Sequence, residues 1–192
     1  MTTPDDSNAS IAELTLESVI RRFRAQKKLA ERAIEQLSDD QLRISLHNET
    51  NSVAVIMKHM AGNMISRWTD FLSSDGEKPD RDRDAEFVDD FDSRADMMKY
   101  WERGWSRLFK ALEDLKPGDL RRLVTIRGHE HTVIEAIHRQ LDHYGYHIGQ
   151  IVLTARMVIG DGAWETLSIA RGASEQYNQQ HWKGGAPERR AN

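Results

Sequence analysis

An all-α chain folded as a four-helix bundle is what this sequence predicts, and three observations predict it. Four stretches of roughly 20 to 28 residues carry apolar residues at helical spacing. Capping and stop signals mark where these stretches begin and end. Only one short β-rich segment interrupts the pattern, just before the fourth long helix, and a short C-terminal helix completes the expected architecture.

The first helix is expected from about Ser10 to Leu37. Leu16, Ile20, Phe23, Ala30, Ile34 and Leu37 recur at steps of three, four and seven, while Arg21, Arg22, Lys27, Lys28 and Glu31 occupy the other face. Ser38-Asp-Asp-Gln-Leu42 reads as a short capped turn. The second helix is expected from about Ser52 to Leu72, with Val53, Met57, Met60, Met64, Trp68 and Phe71 on one stripe. Residues 73–90 contain Gly76, Pro79 and many charges, and read as a solvated loop of about 18 residues. Loops of that length are often functional or mobile. The third helix starts near Ser93, a suitable N-cap, and ends at the stop signal Lys116-Pro-Gly118. Its stripe is Met98, Trp101, Trp105, Leu108 and Leu112.

Leu123 to His131 is too short and too β-rich for a helix and is expected as a hairpin or extended connection. Thr132-Val-Ile-Glu135 fits a capping box. The fourth helix then runs to about Ile159 and ends at Gly160-Asp-Gly162. The tail from Trp164 to Trp182 adds a short helix from near Ser174, and the last ten residues read as frayed. The loops joining the first helix to the second and the third to the fourth have ~14 or more residues, long enough for crossovers, so the order around the bundle stays open.

At 192 residues the chain is expected to be one domain, residues 1–192, with an ordered core from about residue 10 to 180. Hydrophobic residues make up 39% and charged residues 30%, and the net charge is −4 with acids and bases interspersed. No basic face points to nucleic acid. There is no Cys, which removes a disulfide framework, a thiolate nucleophile and a Cys-ligated metal. Met1 to Asn8 are polar and acidic, unlike a signal peptide. No apolar stretch approaches the ~20 residues of a membrane span. A cytoplasmic protein with no membrane partner is the expectation.

The chemistry concentrates in Gln140 to Gln150. His143 and His147 stand four residues apart, one helical turn on the same face, so both imidazoles can reach one point. At about 100° per residue they lie off the Ile137/Leu141/Ile148/Ile151 stripe, beside Ala136, Gln140, Gln150 and Thr154. By spacing alone the pair reads either as two hydrogen-bonded surface residues or as two ligands. His59 is the candidate third ligand. It sits mid-helix on a face with Val55, Gly62 and Ser66, where small residues leave room for a neighbour or a ligand. From periodicity it also fits an outward-facing residue. Asn63, one turn on, reads as a group supporting the ligands or as a surface amide. His129 and His131 flank Glu130 in the expected hairpin and read as a turn facing water. Glu135-x-x-His138 has the shape of a di-iron motif, but the second such motif that architecture needs is absent. His47 and His181 have no supporting context.

A histidine in the middle of the second helix, with His-x-x-x-His followed by Ile-Gly-Gln in the fourth, resembles the DinB superfamily of metalloenzymes. The matching residues are His59, His143 and His147, with His147-Ile-Gly-Gln150 as the local signature. The tail Leu167 to Asn178 is similar to one uncharacterised bacterial branch, which has a proline where Ala170 stands here. The resemblance spans about residues 10 to 180. It implies a four-helix bundle, often a homodimer, with a three-histidine site for a divalent metal, usually nickel or zinc. It also implies a small-molecule substrate, since some relatives are bacillithiol or mycothiol S-transferases or thiol-dependent isomerases.

Three neutral imidazoles leave coordination positions open, the mark of a catalytic rather than a structural site. The leading expectation is metal-dependent activation of a low-molecular-weight thiol for S-transfer to an electrophile. The alternatives are metal-dependent hydrolysis, for which Glu130, Glu135 and the acidic residues 82–92 offer a general base, and a non-catalytic metal-binding dimer that binds a small molecule. The sequence assigns no catalytic residue.

Overall fold

The structure is a computed structural model that describes residues 9–160 and 162–182. Met1 to Asn8, Asp161 in the expected stop signal and the expected frayed tail, residues 183–192, lie outside the described residues.

Six α-helices and one two-stranded sheet make up the described chain: α1 (Ile11–Ile34), α2 (Asp39–Leu42), α3 (Val53–Trp68), α4 (Arg94–Asp114), β1 (Leu123–Ile126), β2 (His129–Thr132), α5 (Val133–Ile159) and α6 (Ser174–His181). The capping chemistry sets where helices begin. Ser10 with Glu13, Ser38 with Gln41, and Thr132 with Glu135 each form a reciprocal capping box, and the Ser52 and Ser93 hydroxyls accept from backbone N–H groups in the first turn. The ends are shorter than expected in two places. α1 stops at Ile34, and Leu37 turns back through a hydrogen bond from its N–H to the Ile34 carbonyl. α3 stops at Trp68 rather than Leu72, and the chain leaves it through Asp70 at φ 49°, a left-handed conformation that ends a helix. α5 ends where expected, at Gly160 with φ 81°.

The crossovers permitted by the loop lengths are used. α3 packs chiefly on α4, and α1 on α5, with lighter contacts of α3 on α5 and α1 on α4. Helices consecutive in sequence are therefore not the main partners at either long connection. β1 and β2 pair antiparallel, with Val124 opposite His131 and Thr125 opposite Glu130, and sit at the head of α5. The core centres on Phe23, Trp68, Trp105 and Tyr144, whose rings meet edge-on or tilted at 5.9–6.5 Å. Among the described residues no helix is long and apolar enough to cross a membrane.

One expectation needs correcting. Residues 73–90 are not simply a solvated loop. The Ser66 hydroxyl donates to the Gly76 carbonyl at 2.9 Å and accepts from the Lys78 N–H at 3.0 Å. The Asp75 carboxylate accepts from the N–H groups of Arg127 and Gly128 at the hairpin tip. Lys58 reaches the carbonyls of Ala85 and Val88 and the Asp90 carboxylate. A 3-10 turn at Ala85–Phe87 then turns Glu86 inward, where it is buried. The loop thus covers the face of α3 that α4 and α5 leave open. This is why α3 is buried nearly all round, including Val55, Gly62 and Ser66 on the face opposite Met57 and Met64.

The α3–α4 contact is tight at Gly104, where an added Cβ would lie 2.8 Å from the Ala61 Cα. We expect Gly104→Val to cost about 1–3 kcal/mol through overpacking. Gly149→Ala meets open space in α5 and should gain about 0.5–1 kcal/mol. Urea midpoints of the two variants, moving in opposite directions, check both.

Candidate metal centre

Two helices each present three polar residues at successive turns. On α3 these are His59, Asn63 and Arg67; on α5 they are Arg139, His143 and His147. Residues four apart share a face, so packing α3 against α5 brings the two rows together. The histidine ends meet: the His59 ring centroid lies 5.5 Å from that of His143 and 4.8 Å from that of His147, and the last two are 4.7 Å apart. One ligand atom from each lies within 4.8 Å of the others, so this group can hold a metal ion.

The second nitrogen of two of these rings is held by an acceptor. His59 Nδ1 lies 2.9 Å from the Glu86 carboxylate, and His147 Nδ1 lies 2.8 Å from Gln150 Oε1. Each Nδ1–H donates, which leaves Nε2 with its lone pair free, the tautomer a metal ligand needs. His143 Nε2 sits 3.1 Å from His147 Nε2, and His143 Nδ1 is buried without a partner. The two Nε2 atoms are at hydrogen-bond distance, and with the proton of His143 on Nδ1 all three Nε2 lone pairs would face one point, a donor set that fits a divalent ion. Burial holds the His143 imidazole down to about 3, helped by the neighbouring His147 and His59, and burial also pushes His147 below its ordinary value. Both are therefore neutral near pH 7, the ligating form.

Glu86 is the residue that sequence reasoning could not place. Burial alone would raise its carboxyl, but hydrogen bonds from His59 and Arg81 outweigh that and hold it below the ordinary carboxylate range. Arg81 grips it through two nitrogens at 2.7 Å each and reaches on to Glu77. The signal for this contact was Gly62. An added Cβ there would lie 2.7 Å from the Glu86 Cδ, so the carboxylate would have to shift from its place beside His59. Phe87, next in the 3-10 turn, stacks on the His59 ring at 4.8 Å and is itself covered by the Arg83 guanidinium at 5.1 Å.

Asn63 is buried rather than a surface amide. Its Oδ1 accepts from the Tyr144 hydroxyl at 3.0 Å and from Gln140 at 3.4 Å, and Tyr144 in turn accepts from Trp68 Nε1. This chain of bonds locks α3 to α5 one turn from the histidines. The remaining histidines stay apart from the cluster: His129 is exposed and His131 half-buried on β2, and His47, His138 and His181 are exposed. A cleft of about 380 Å³ opens onto the three histidines.

The site and its helical frame define a class: a helical protein with a candidate three-histidine metal centre. A family model described as "Protein of unknown function (DUF1572)" matches residues 10–173, and the chain belongs to that family. Comparison with curated proteins and comparison with solved structures each returned no match.

The depressed His143 pKa has a consequence for stability. An unfolded histidine titrates near 6.5, so below that pH the unfolded chain binds a proton that folded His143 refuses. Its contribution is fully present above ~6.5 and is lost as the pH falls towards 3. In chelator-treated protein the urea midpoint should fall steadily from pH 7 to pH 5. The slope should flatten in His143→Gln.

Proposed function

We propose that His59, His143 and His147 bind one divalent metal ion, nickel or zinc, and that the protein uses it to activate a low-molecular-weight thiol for S-transfer to an electrophilic small molecule. The observation that carries this reading is the convergence of three imidazoles, two of them with Nδ1 already held by Glu86 and Gln150. The resemblance to the DinB superfamily adds to it. The pairing of α3 with α4 and α1 with α5 suits a four-helix bundle of that kind. On the same grounds we take the protein to be a cytoplasmic homodimer acting on a small molecule, with no nucleic-acid or membrane partner.

When bound, a divalent ion supplies a positive charge that lowers the pKa of a thiol or water reaching an open position. The chain's own part is to hold and orient. Glu86 takes the His59 Nδ1 proton in a hydrogen bond and fixes the ring, Gln150 does the same for His147, and Phe87 shields one face of His59 from water. With no Cys anywhere in the chain, the thiol comes from outside.

The carboxylates bear on the choice between thiol transfer and hydrolysis. Hydrolysis wants an uncommitted general base beside the metal. Glu135 caps α5, Glu130 is exposed on the hairpin, and Glu86 is engaged by His59 and Arg81. Among the described residues no Asp or Glu lines the cleft. Without such a base a thiol would be the easier group for the ion to deprotonate, since its ordinary pKa of about 8.5 lies far below that of water, which favours S-transfer.

Incubation of metal-loaded protein with low-molecular-weight thiols and a generic electrophile should show thiol consumption that chelation abolishes. Glu86→Gln should weaken metal affinity roughly 10–100-fold. Consumption that is absent with every thiol, or indifferent to chelation, would overturn the S-transfer reading.

A further inference from the structure

The same cleft is lined by Arg67, Arg81, Arg83, Arg127 and Arg139 and by no carboxylate. Arg81 and Arg83 stand beside the Glu86 and Phe87 partners of His59, and Arg67 and Arg139 lie further along the two helices. Two carboxylates stand behind these arginines: Glu77 pairs with Arg67, Arg81 and Arg127, and Glu86 with Arg81. Five guanidinium groups share two carboxylates, so three of the arginines are paired and the group carries a net positive charge. Arg83 and Arg139 form no ion pair among the described residues.

Arg67 is the most telling of them. Its side chain is only 5% exposed, and just Nη2 is paired, with Glu77 at 3.0 Å. Nε and Nη1 are buried with no hydrogen-bond partner. Buried guanidinium donors without acceptors are costly and uncommon. Burial pulls this group below its ordinary pKa, although Glu77 opposes the shift. Arg139 stands one turn before His143 on α5, about 6 Å along the axis, and Arg67 two turns after His59 on α3, about 12 Å along.

We infer that the arginine wall of the cleft is a subsite for an anionic group, a carboxylate or a phosphate, carried by the substrate. The planar guanidinium fork matches both groups and binds them through two parallel hydrogen bonds. An anion seated there meets the free charge of Arg139 and faces the Arg67 guanidinium, whose Nε and Nη1 have no protein acceptor. Taken with the metal reading, on which this part rests, the substrate class is a small molecule that carries an anionic group apart from its reacting atom. The anion subsite itself does not depend on the metal.

Titration of the full-length protein with acetate, inorganic phosphate and the neutral control acetamide, by NMR at low salt, tests the inference. It is run on metal-loaded and on chelated protein. Acetate, phosphate or both should bind chelated protein, and acetamide should not; binding of one alone identifies which anion the subsite takes. Arg139→Gln and Arg67→Gln should each weaken that binding about tenfold or more, the loss expected for a charge-assisted hydrogen bond, while metal content stays at the wild-type level. Arg139 is exposed, so its variant decides the matter if Arg67→Gln fails to fold. No anion binding, or binding unchanged in Arg139→Gln, overturns the subsite even if metal binds normally. Arginine-dependent anion binding in a protein that takes up no metal sustains the subsite and overturns the metal reading alone.

Discussion

The Glu86 carboxylate lies between the His59 imidazole and the Arg81 guanidinium, with all three side chains about 95% buried. A buried carboxylate without partners is not tolerated, and breaking one arm of such a set costs about 3–5 kcal/mol. The contact therefore ties together things that are distant in sequence. It pins the loop after α3 back over that helix. It leans on the glycine at position 62, because a Cβ there would push the carboxylate out of place. It also sets the His59 tautomer, so the side chain that holds the loop in place is the one that prepares the histidine for a ligand.

The rest of the site follows from two helices carrying matched rows of side chains. Asn63 and Tyr144 join the rows at their middle through a buried hydrogen bond, and Trp68 extends that bond into the aromatic core. His59 and Arg67 on α3, and His143 and Arg139 on α5, are spaced by helical pitch, while this bond fixes one helix against the other. The packing of core aromatics such as Phe23 and Trp105 against Tyr144 is what keeps the two rows in register. Stability and site geometry share the same side chains here.

Much of this was legible in the sequence, and the reason is local. The capping box at Thr132, the capped turn at Ser38 and the stripe behind Ser10 are short-range signals, so these helix starts were readable. The His143/His147 pair is one turn apart and needs no tertiary information. His59 was a candidate from its mid-helix place among small residues, but only the resemblance joined it to the pair, because periodicity cannot say which helix faces which. Glu86 was not legible, since its role depends on a 27-residue separation and on a loop whose charges look solvated in one dimension. Gly62 held a trace of it: a glycine inside a helix marks a close approach, without naming what approaches. Asn63 was equally ambiguous, because the covering loop and α5 together bury a face that the α3 stripe alone would leave open.

The central claim is that His59, His143 and His147 ligate one metal ion. X-ray absorption spectroscopy of the metal-loaded protein, read beside its metal-to-chain ratio, tests it most directly. The account predicts one ion per chain with three imidazole nitrogens, at ~2.0–2.1 Å if the ion is zinc, and loss of that signal in His143→Ala. A substoichiometric ion, or a histidine shell that persists in His143→Ala, would contradict it.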